Sequence, residues 1–222
     1  MNNPIVNASN FIYRSTFYNQ EFEDILKGII ACYYCIVSAN TKLSNNENII
    51  RDAMLSKNYL KSRAFKETHP PLGKYHFDKE TSENNGRADI RILHVNPYKD
   101  DDAYYVIECK RLDGKEKLNC AYIAEGITRF TNDKKYPFYK NTAGMIGFIV
   151  DEMDIHQNVS AINILLNQHF THIDTEKTLT YKEIVSDFEY SYFSRHKIES
   201  VLKIIYHLMF DFSENIIKNK SL

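Results

Sequence analysis

Four short strand-like runs between residues 74 and 150 constrain the fold more than any other feature of this sequence. The runs are rich in apolar, β-branched and aromatic residues, and turn residues separate them. Helical spacing of apolar residues appears between the third and fourth runs, and again after the fourth. Strands followed by helices in this order predict an α/β fold with a mixed sheet. The predicted strands cover 74–80, 87–95, 103–109 and 143–150.

Helices are predicted on the N-terminal side of the strand-rich region. Apolar residues recur every three or four positions from 16 to 39, which predicts a long, buried helix. A second, more exposed helix is predicted from Glu47 to about Arg63, because Ser44 and Glu47 have the spacing of a capping box. The two prolines after His69 then end helix formation.

Further helices and one more strand are predicted in the second half of the chain. Helices are expected at 117–130 and 154–168, with a strand at 188–193. Apolar residues at helical spacing from Ile198 to Phe212 predict a final amphipathic helix. The 222 residues suit one domain. It would comprise N-terminal helices at about 16–63, a core at about 74–150, and a C-terminal strand and helices at about 154–215.

The composition is that of an ordinary globular protein. Hydrophobic residues make up 43% and charged residues 26% of the chain. The net charge of −1 means that a polyanion would have to be held by local positive patches. No apolar run approaches the length of a membrane helix and no signal segment is evident, so we expect a cytoplasmic protein with no membrane partner. Cys32 and Cys35 fall within a helical apolar pattern, which favours core packing over a redox or zinc site.

Two acidic residues are predicted to face each other across a β-hairpin. A turn at 96–102 joins the second and third strands, and antiparallel pairing around it sets Asp89 opposite Glu108. Side chains alternate along a strand, so Glu108 and Lys110 share a face and Cys109 points away. Three charged groups therefore converge on one side of the hairpin.

A divalent cation would reconcile these charges. Two adjacent carboxylates repel each other unless a cation lies between them, and Mg²⁺ prefers oxygen ligands. The expected ligands are Asp89, Glu108 and the backbone carbonyl of Cys109, and Mn²⁺ is expected to substitute for Mg²⁺. Lys110 would orient or deprotonate an attacking water, or steady a charged phosphate. A salt-bridged hairpin is the simpler alternative.

Asp89-Ile90 on one strand, followed after a hairpin by Ile107-Glu108-Cys109-Lys110, resembles the PD-(D/E)XK nuclease superfamily. Ala88 stands where the motif has a proline. The resemblance implies a restriction-endonuclease-like mixed β-sheet that contains a catalytic hairpin and is flanked by α-helices.

It further implies Mg²⁺-dependent hydrolysis of phosphodiester bonds, with DNA as the expected partner and a bacterial restriction or defence role as the context. The alternative is a catalytically inactive nucleic-acid-binding or assembly module of the same fold. A homodimer or a larger complex is also expected.

The resemblance also assigns roles to residues around the triad. Glu47 would correspond to a helical glutamate that completes the metal shell, although it could instead belong to the capping box. Glu125 and Arg129 could simply pair within their helix, and the lysines could be ordinary surface residues. The residues expected to contact nucleic acid are Arg111, Tyr122, Arg129, Lys134 and Lys135.

Overall fold

The structure is a computed structural model that describes residues 9–79, 88–96, 104–133 and 136–218, with side chains described from residue 20 onward. A 3₁₀ turn precedes the first strand, and a π-helical turn, Ile123–Ile127, joins two of the helices into one continuous segment. The α-helices are α1 Ser9–Ser38, α2 Glu47–Met54, α3 Arg63–Thr68, α4 Glu116–Tyr122, α5 Thr128–Thr131 and α6 Ile155–Gln168.

The strands are β1 Tyr75–Lys79, β2 Ile90–His94, β3 Tyr104–Leu112, β4 Thr142–Ile149, β5 Thr175–Tyr181, β6 Ser191–Ile198 and β7 Val201–Asp211. They form one mixed sheet in the order β1-β2-β3-β4-β7-β6-β5. Neighbours run antiparallel from β1 to β3, parallel from β3 through β4 to β7, and antiparallel again from β7 to β5. The mixed α/β class predicted from the sequence is confirmed at this level.

Helices cover both faces of the sheet, and β3 shows how its side chains divide between them. Ile107 and Cys109 belong to the buried cluster that contains the α1 residues. Val106 and Leu112 belong to the cluster that contains residues of α4 and α6. Because Glu108 alternates with the first pair, it points to the α4 side. The C-terminal half of β3, which carries Glu108 and Lys110, therefore lies beneath the crossover helix, the continuous segment from α4 to α5 that leads to β4.

The predicted C-terminal helix is wrong, because residues 201–211 form β7. This strand pairs with both β4 and β6, and its residues from Ile205 to Phe210 are all buried. A strand covered on both faces is apolar nearly throughout, so its sequence carries no two-residue alternation and imitates a buried helix. The edge strand β5 was also missed, and β6 extends further toward the C-terminus than predicted.

The second predicted helix is shorter than expected. Its helical part, α2, ends at Met54, and turns lead from there to the separate helix α3. Asn46 caps α2, because its side-chain oxygen accepts hydrogen bonds from the backbone N–H groups of Asn48 and Ile49. Among the described helices, none is both long and apolar enough to cross a bilayer.

Candidate functional site

The hairpin register sets Asp89 and Glu108 side by side. Ile90 pairs with Ile107 in the antiparallel ladder of β2 and β3, and one further step joins the two acidic positions. Asp89 lies in a bend immediately before β2. Residues 97–102 of the predicted turn lie outside the described residues.

Glu108 is fully buried and is the charged centre of the cluster. Its Oε1 atom accepts hydrogen bonds from Lys110 Nζ at 2.9 Å and from Arg129 Nη1 at 2.6 Å. Its Oε2 atom is buried without a hydrogen-bond partner among the described residues. Burial, followed by the negative charge of Asp89, raises the pKa of Glu108 to about 7, against the opposing effects of Lys110 and Arg129.

Lys110 joins two carboxylates that come from different elements. Besides Glu108, its Nζ atom contacts Glu47 Oε1 at 3.2 Å. Burial alone would lower the pKa of Lys110, but the two neighbouring carboxylates outweigh it and raise that pKa. Lys110 is therefore a cation at neutral pH.

Asp89 is held from two sides. Its Oδ2 atom accepts a hydrogen bond from the backbone N–H of Cys109 at 2.8 Å, and its Oδ1 atom accepts one from Arg51 Nη1 at 2.8 Å. Arg51 is itself only 3% exposed and also donates to Asp52. The acid and the guanidinium thus form a buried ion pair at the edge of the site.

Glu47 points into the site and not back along its own helix. Its carboxylate accepts from Lys110 and from the backbone N–H of Arg111, the second at 3.2 Å. The cap of the helix is Asn46, so the capping box with Ser44 is wrong. The position of Glu47 agrees with the alternative in which this glutamate belongs to the charged cluster.

Arg51 was missed by the sequence analysis. It lies four residues after Glu47 on α2, so both side chains project from one face of the helix toward β3. That spacing was the available signal.

The helical segment after β3 brings Arg129 to the site but turns Tyr122 away. Tyr122 is fully buried, and its hydroxyl lies 2.8 Å from His207 Nδ1, so its predicted contact with nucleic acid is wrong. The π-helical turn between them adds a residue to one turn, so Tyr122 and Arg129 do not share the face on which the seven-residue spacing of a regular α-helix would place them. Glu125 is exposed, while Arg129 reaches back to Glu108.

The side chain of Arg111, another predicted nucleic-acid contact, does not line the cavity formed by this cluster. Arg111 alternates with Lys110 along β3, and its Nη1 atom donates to the backbone and side-chain oxygens of Asn45. It therefore lies outside the charged cluster. Lys134 and Lys135 lie outside the described residues.

The cluster opens into a cavity of about 320 Å³ whose lining is almost entirely charged. Three carboxylates and four basic groups face one another, which balances the local charge to within one unit. The lining residues are Glu47, Asn48, Arg51, Lys79, Asp89, Glu108, Lys110 and Arg129.

The oxygen donors here fit a hard divalent cation in type, and Glu108 Oε2 offers one that is unengaged. The arrangement is not that of a finished metal site. Within the described ranges, no three His, Cys, Asp or Glu side chains are grouped so that they could hold an ion. Asp89 and Glu47 instead accept hydrogen bonds from neighbouring N–H groups. Binding an ion would require some of these contacts to be exchanged.

No known protein family matches this chain, and searches of curated proteins and of solved structures also returned no match.

Proposed function

We propose that this protein is a metal-dependent nuclease that hydrolyses phosphodiester bonds, with DNA as the expected substrate. The observation that carries the proposal is Glu108. It is a fully buried carboxylate at the middle of the largely buried strand β3 and beside a buried lysine, and one of its oxygens has no hydrogen-bond partner among the described residues. Burying a carboxylate is costly even when basic side chains pair with it, and buried ionisable groups with shifted pKa values cluster at functional sites.

The order of elements supports the same proposal. An α-helix carrying Glu47 precedes a hairpin that carries Asp89 and Glu108, and a crossover helix then leads to the parallel strand β4. This is the order that the resemblance to the PD-(D/E)XK superfamily implies. A restriction-endonuclease-like fold with a catalytic hairpin is accordingly part of the proposal.

Each residue has a role in the proposed reaction. Asp89, Glu108 and the carbonyl of Cys109 would hold Mg²⁺, or Mn²⁺ in its place, with Glu47 as a further ligand. The ion would polarise the phosphate and lower the pKa of a bound water. Lys110 holds a positive charge beside Glu108, where it would orient the attacking water.

Arg129 reaches the cavity from the crossover helix, with its side chain about 29% exposed. Its guanidinium matches the geometry of a phosphate oxygen pair. It would therefore bind the substrate backbone while still contacting Glu108.

A second candidate function is a nucleic-acid-binding module without catalysis. The observation that favours it is the pairing of all three carboxylates with basic side chains, which balances the cluster without a metal ion. The two candidates differ in their requirement for a divalent ion.

A cleavage panel tests the proposal. The protein would be incubated with linear duplex, circular duplex and single-stranded DNA and with RNA, each with Mg²⁺, Mn²⁺ or EDTA. We expect cleavage of at least one DNA substrate with a divalent ion, none with EDTA, and none by the Glu108→Gln variant. Nucleic-acid binding without cleavage under every condition would favour the second candidate.

A further inference from the structure

Asp89 forms an ion pair with a basic side chain of the protein, Arg51. Arg51 Nη1 is 2.8 Å from Asp89 Oδ1, and the arginine side chain is only 4% exposed. The other oxygen of Asp89 accepts from the backbone N–H of Cys109. Both oxygens of a proposed metal ligand are therefore engaged by groups of the protein itself.

Arg51 also forms hydrogen bonds with a second acidic residue, Asp52. Its Nε and Nη2 atoms both donate to Asp52 Oδ1, at 3.0 and 2.8 Å, and Asp52 also forms an ion pair with Lys79. Because its Nε and Nη2 atoms hydrogen-bond to Asp52, the Arg51 guanidinium keeps a carboxylate partner when it leaves Asp89. Release of Asp89 would therefore not leave Arg51 as an unpaired buried charge.

The cavity as a whole is charge-balanced in the same way. Glu47 and Glu108 share Lys110, and Glu108 also contacts Arg129. A divalent ion that entered this cavity alone would add two positive charges to groups that are already neutralised. A phosphodiester brings negative charge, and can bind the basic groups that the ion displaces from the carboxylates.

We infer that Arg51 is a positioning residue that makes divalent-ion binding depend on an anionic substrate. In the free protein the guanidinium occupies Asp89 and keeps the ion affinity low. When a nucleic-acid backbone enters, it compensates the added charge, and the ion replaces Arg51 on Asp89. Binding is reciprocal by thermodynamic necessity, so the ion must tighten nucleic-acid binding by the same factor. This inference rests on the proposed function.

Calorimetric titration of the whole chain with Mn²⁺ tests the inference, with and without a duplex DNA whose phosphorothioate backbone resists cleavage. For the wild-type protein we expect the Mn²⁺ affinity to rise about tenfold or more when the DNA is present, within the usual range of coupling between two sites. Arg51→Gln should bind Mn²⁺ about tenfold more tightly than wild type without DNA, and the DNA should then add little. Arg63→Gln is the matched control, because Arg63 is exposed and forms an ion pair with Glu67 on its own helix.

The wild-type comparison needs no variant, so the test survives a failure of Arg51→Gln to fold. Equal Mn²⁺ affinity with and without DNA would overturn the inference, and if that protein still cleaves DNA the proposed nuclease function stands. An Arg51→Gln protein that folds but gains no DNA-free Mn²⁺ affinity would also overturn it. Absence of Mn²⁺ binding in every titration, together with absence of cleavage, would remove the proposed function and the inference together.

Discussion

At the scale of single residues, the site depends on how Lys110 and Asp89 are held. Lys110 contacts carboxylates from α2 and from its own strand, whereas Asp89 contacts a backbone N–H and a guanidinium. Both side chains are buried. The proposed chemistry gives them different tasks: Lys110 would act on water or phosphate, and Asp89 would bind the ion.

Replacing Lys110 with methionine should abolish cleavage without weakening divalent-ion binding. Methionine keeps most of the aliphatic volume but removes the charge beside Glu108. We expect the cleavage rate to fall by about 100-fold or more, as for the loss of a group that acts on a transferred proton or a developing charge. Time courses with Mg²⁺ measure the rate. Lys197→Met is the control, because Lys197 is exposed on β6; a Lys110→Met rate equal to its rate would contradict the assigned role.

Replacing Asp89 with asparagine should weaken the binding of the divalent ion. The amide oxygen can still accept the N–H of Cys109, but the site loses one of the few charged ligands that a hard cation requires. We expect the Mn²⁺ affinity, titrated with phosphorothioate DNA present, to fall about tenfold or more. Asp78→Asn on β1 is the matched control, since that carboxylate is exposed and lies outside the cavity. An unchanged affinity in Asp89→Asn would show that Asp89 is not a ligand.

At the scale of elements, α2 connects the N-terminal part of the chain to the charged end of β3. Glu47 and Arg51 lie one turn apart on this eight-residue helix, and each contacts the hairpin. A helix this short has little stability by itself and depends on its cap and its tertiary contacts. Any change that loosens α2 should therefore affect two site residues together.

Removing the cap of α2 should reduce stability and activity together. In Asn46→Ala, the N–H groups of Asn48 and Ile49 lose their acceptor, which lowers the free energy of unfolding by about 1 kcal/mol. Cleavage should also slow, because Glu47 is the next residue. Ser62→Ala removes the equivalent cap of α3, which carries no site residue, and should lower stability without slowing cleavage. Urea denaturation and cleavage assays on both variants measure these effects, and identical rates in the two would contradict the proposed dependence.

At the scale of the whole molecule, a chain of hydrogen-bonded polar side chains runs across several strands and includes none of the residues that line the charged cavity. Tyr122, His207, Ser194, His196 and Thr175 are linked by contacts of 2.8 to 3.2 Å that run from α4 through β7 and β6 to the edge strand β5. The two histidines are fully buried. Burial lowers the pKa of both rings, and their proximity lowers that of His207 further.

These histidines should make the fold sensitive to acid. Burial lowers the pKa of His196 to about 4, whereas a histidine in an unfolded chain has a pKa of about 6.5. Between these values only the unfolded chain binds the extra proton, so stability is fully present above about pH 6.5 and falls as the pH drops toward 4. The free energy of unfolding lost through His196 alone is about 3 kcal/mol. Urea denaturation at a series of pH values should show this slope.

His196→Gln provides the control for that measurement. Glutamine cannot take up the proton, so the slope of stability against pH should become shallower by about one proton, with His207 still contributing. An unchanged slope in this variant would mean that other groups cause the acid sensitivity. The absolute stability at neutral pH is expected to fall, because the side-chain contacts with Ser194 and Thr175 are altered.

Local patterns in the sequence were sufficient to predict the centre of the site. The two-residue period of a strand places Glu108 and Lys110 on one face, and the spacing of the hairpin places Asp89 beside Glu108. The long helix α1 followed in the same way from its three- and four-residue spacing. These features depend on residues that are close in sequence, or on one turn that joins two neighbouring strands.

Only the tertiary structure decided the features that depend on distant neighbours. The strand β7 has apolar residues on both faces because helices cover both sides of the sheet, and one sequence cannot show this. Arg51 reaches Asp89 across 38 positions, and Glu47 reaches Lys110 across 63. The sequence alone therefore determined which acids and which lysine meet on the hairpin. The packing of α2 and of the crossover helix determined which cations neutralise them, because those contacts form only when separate elements come together.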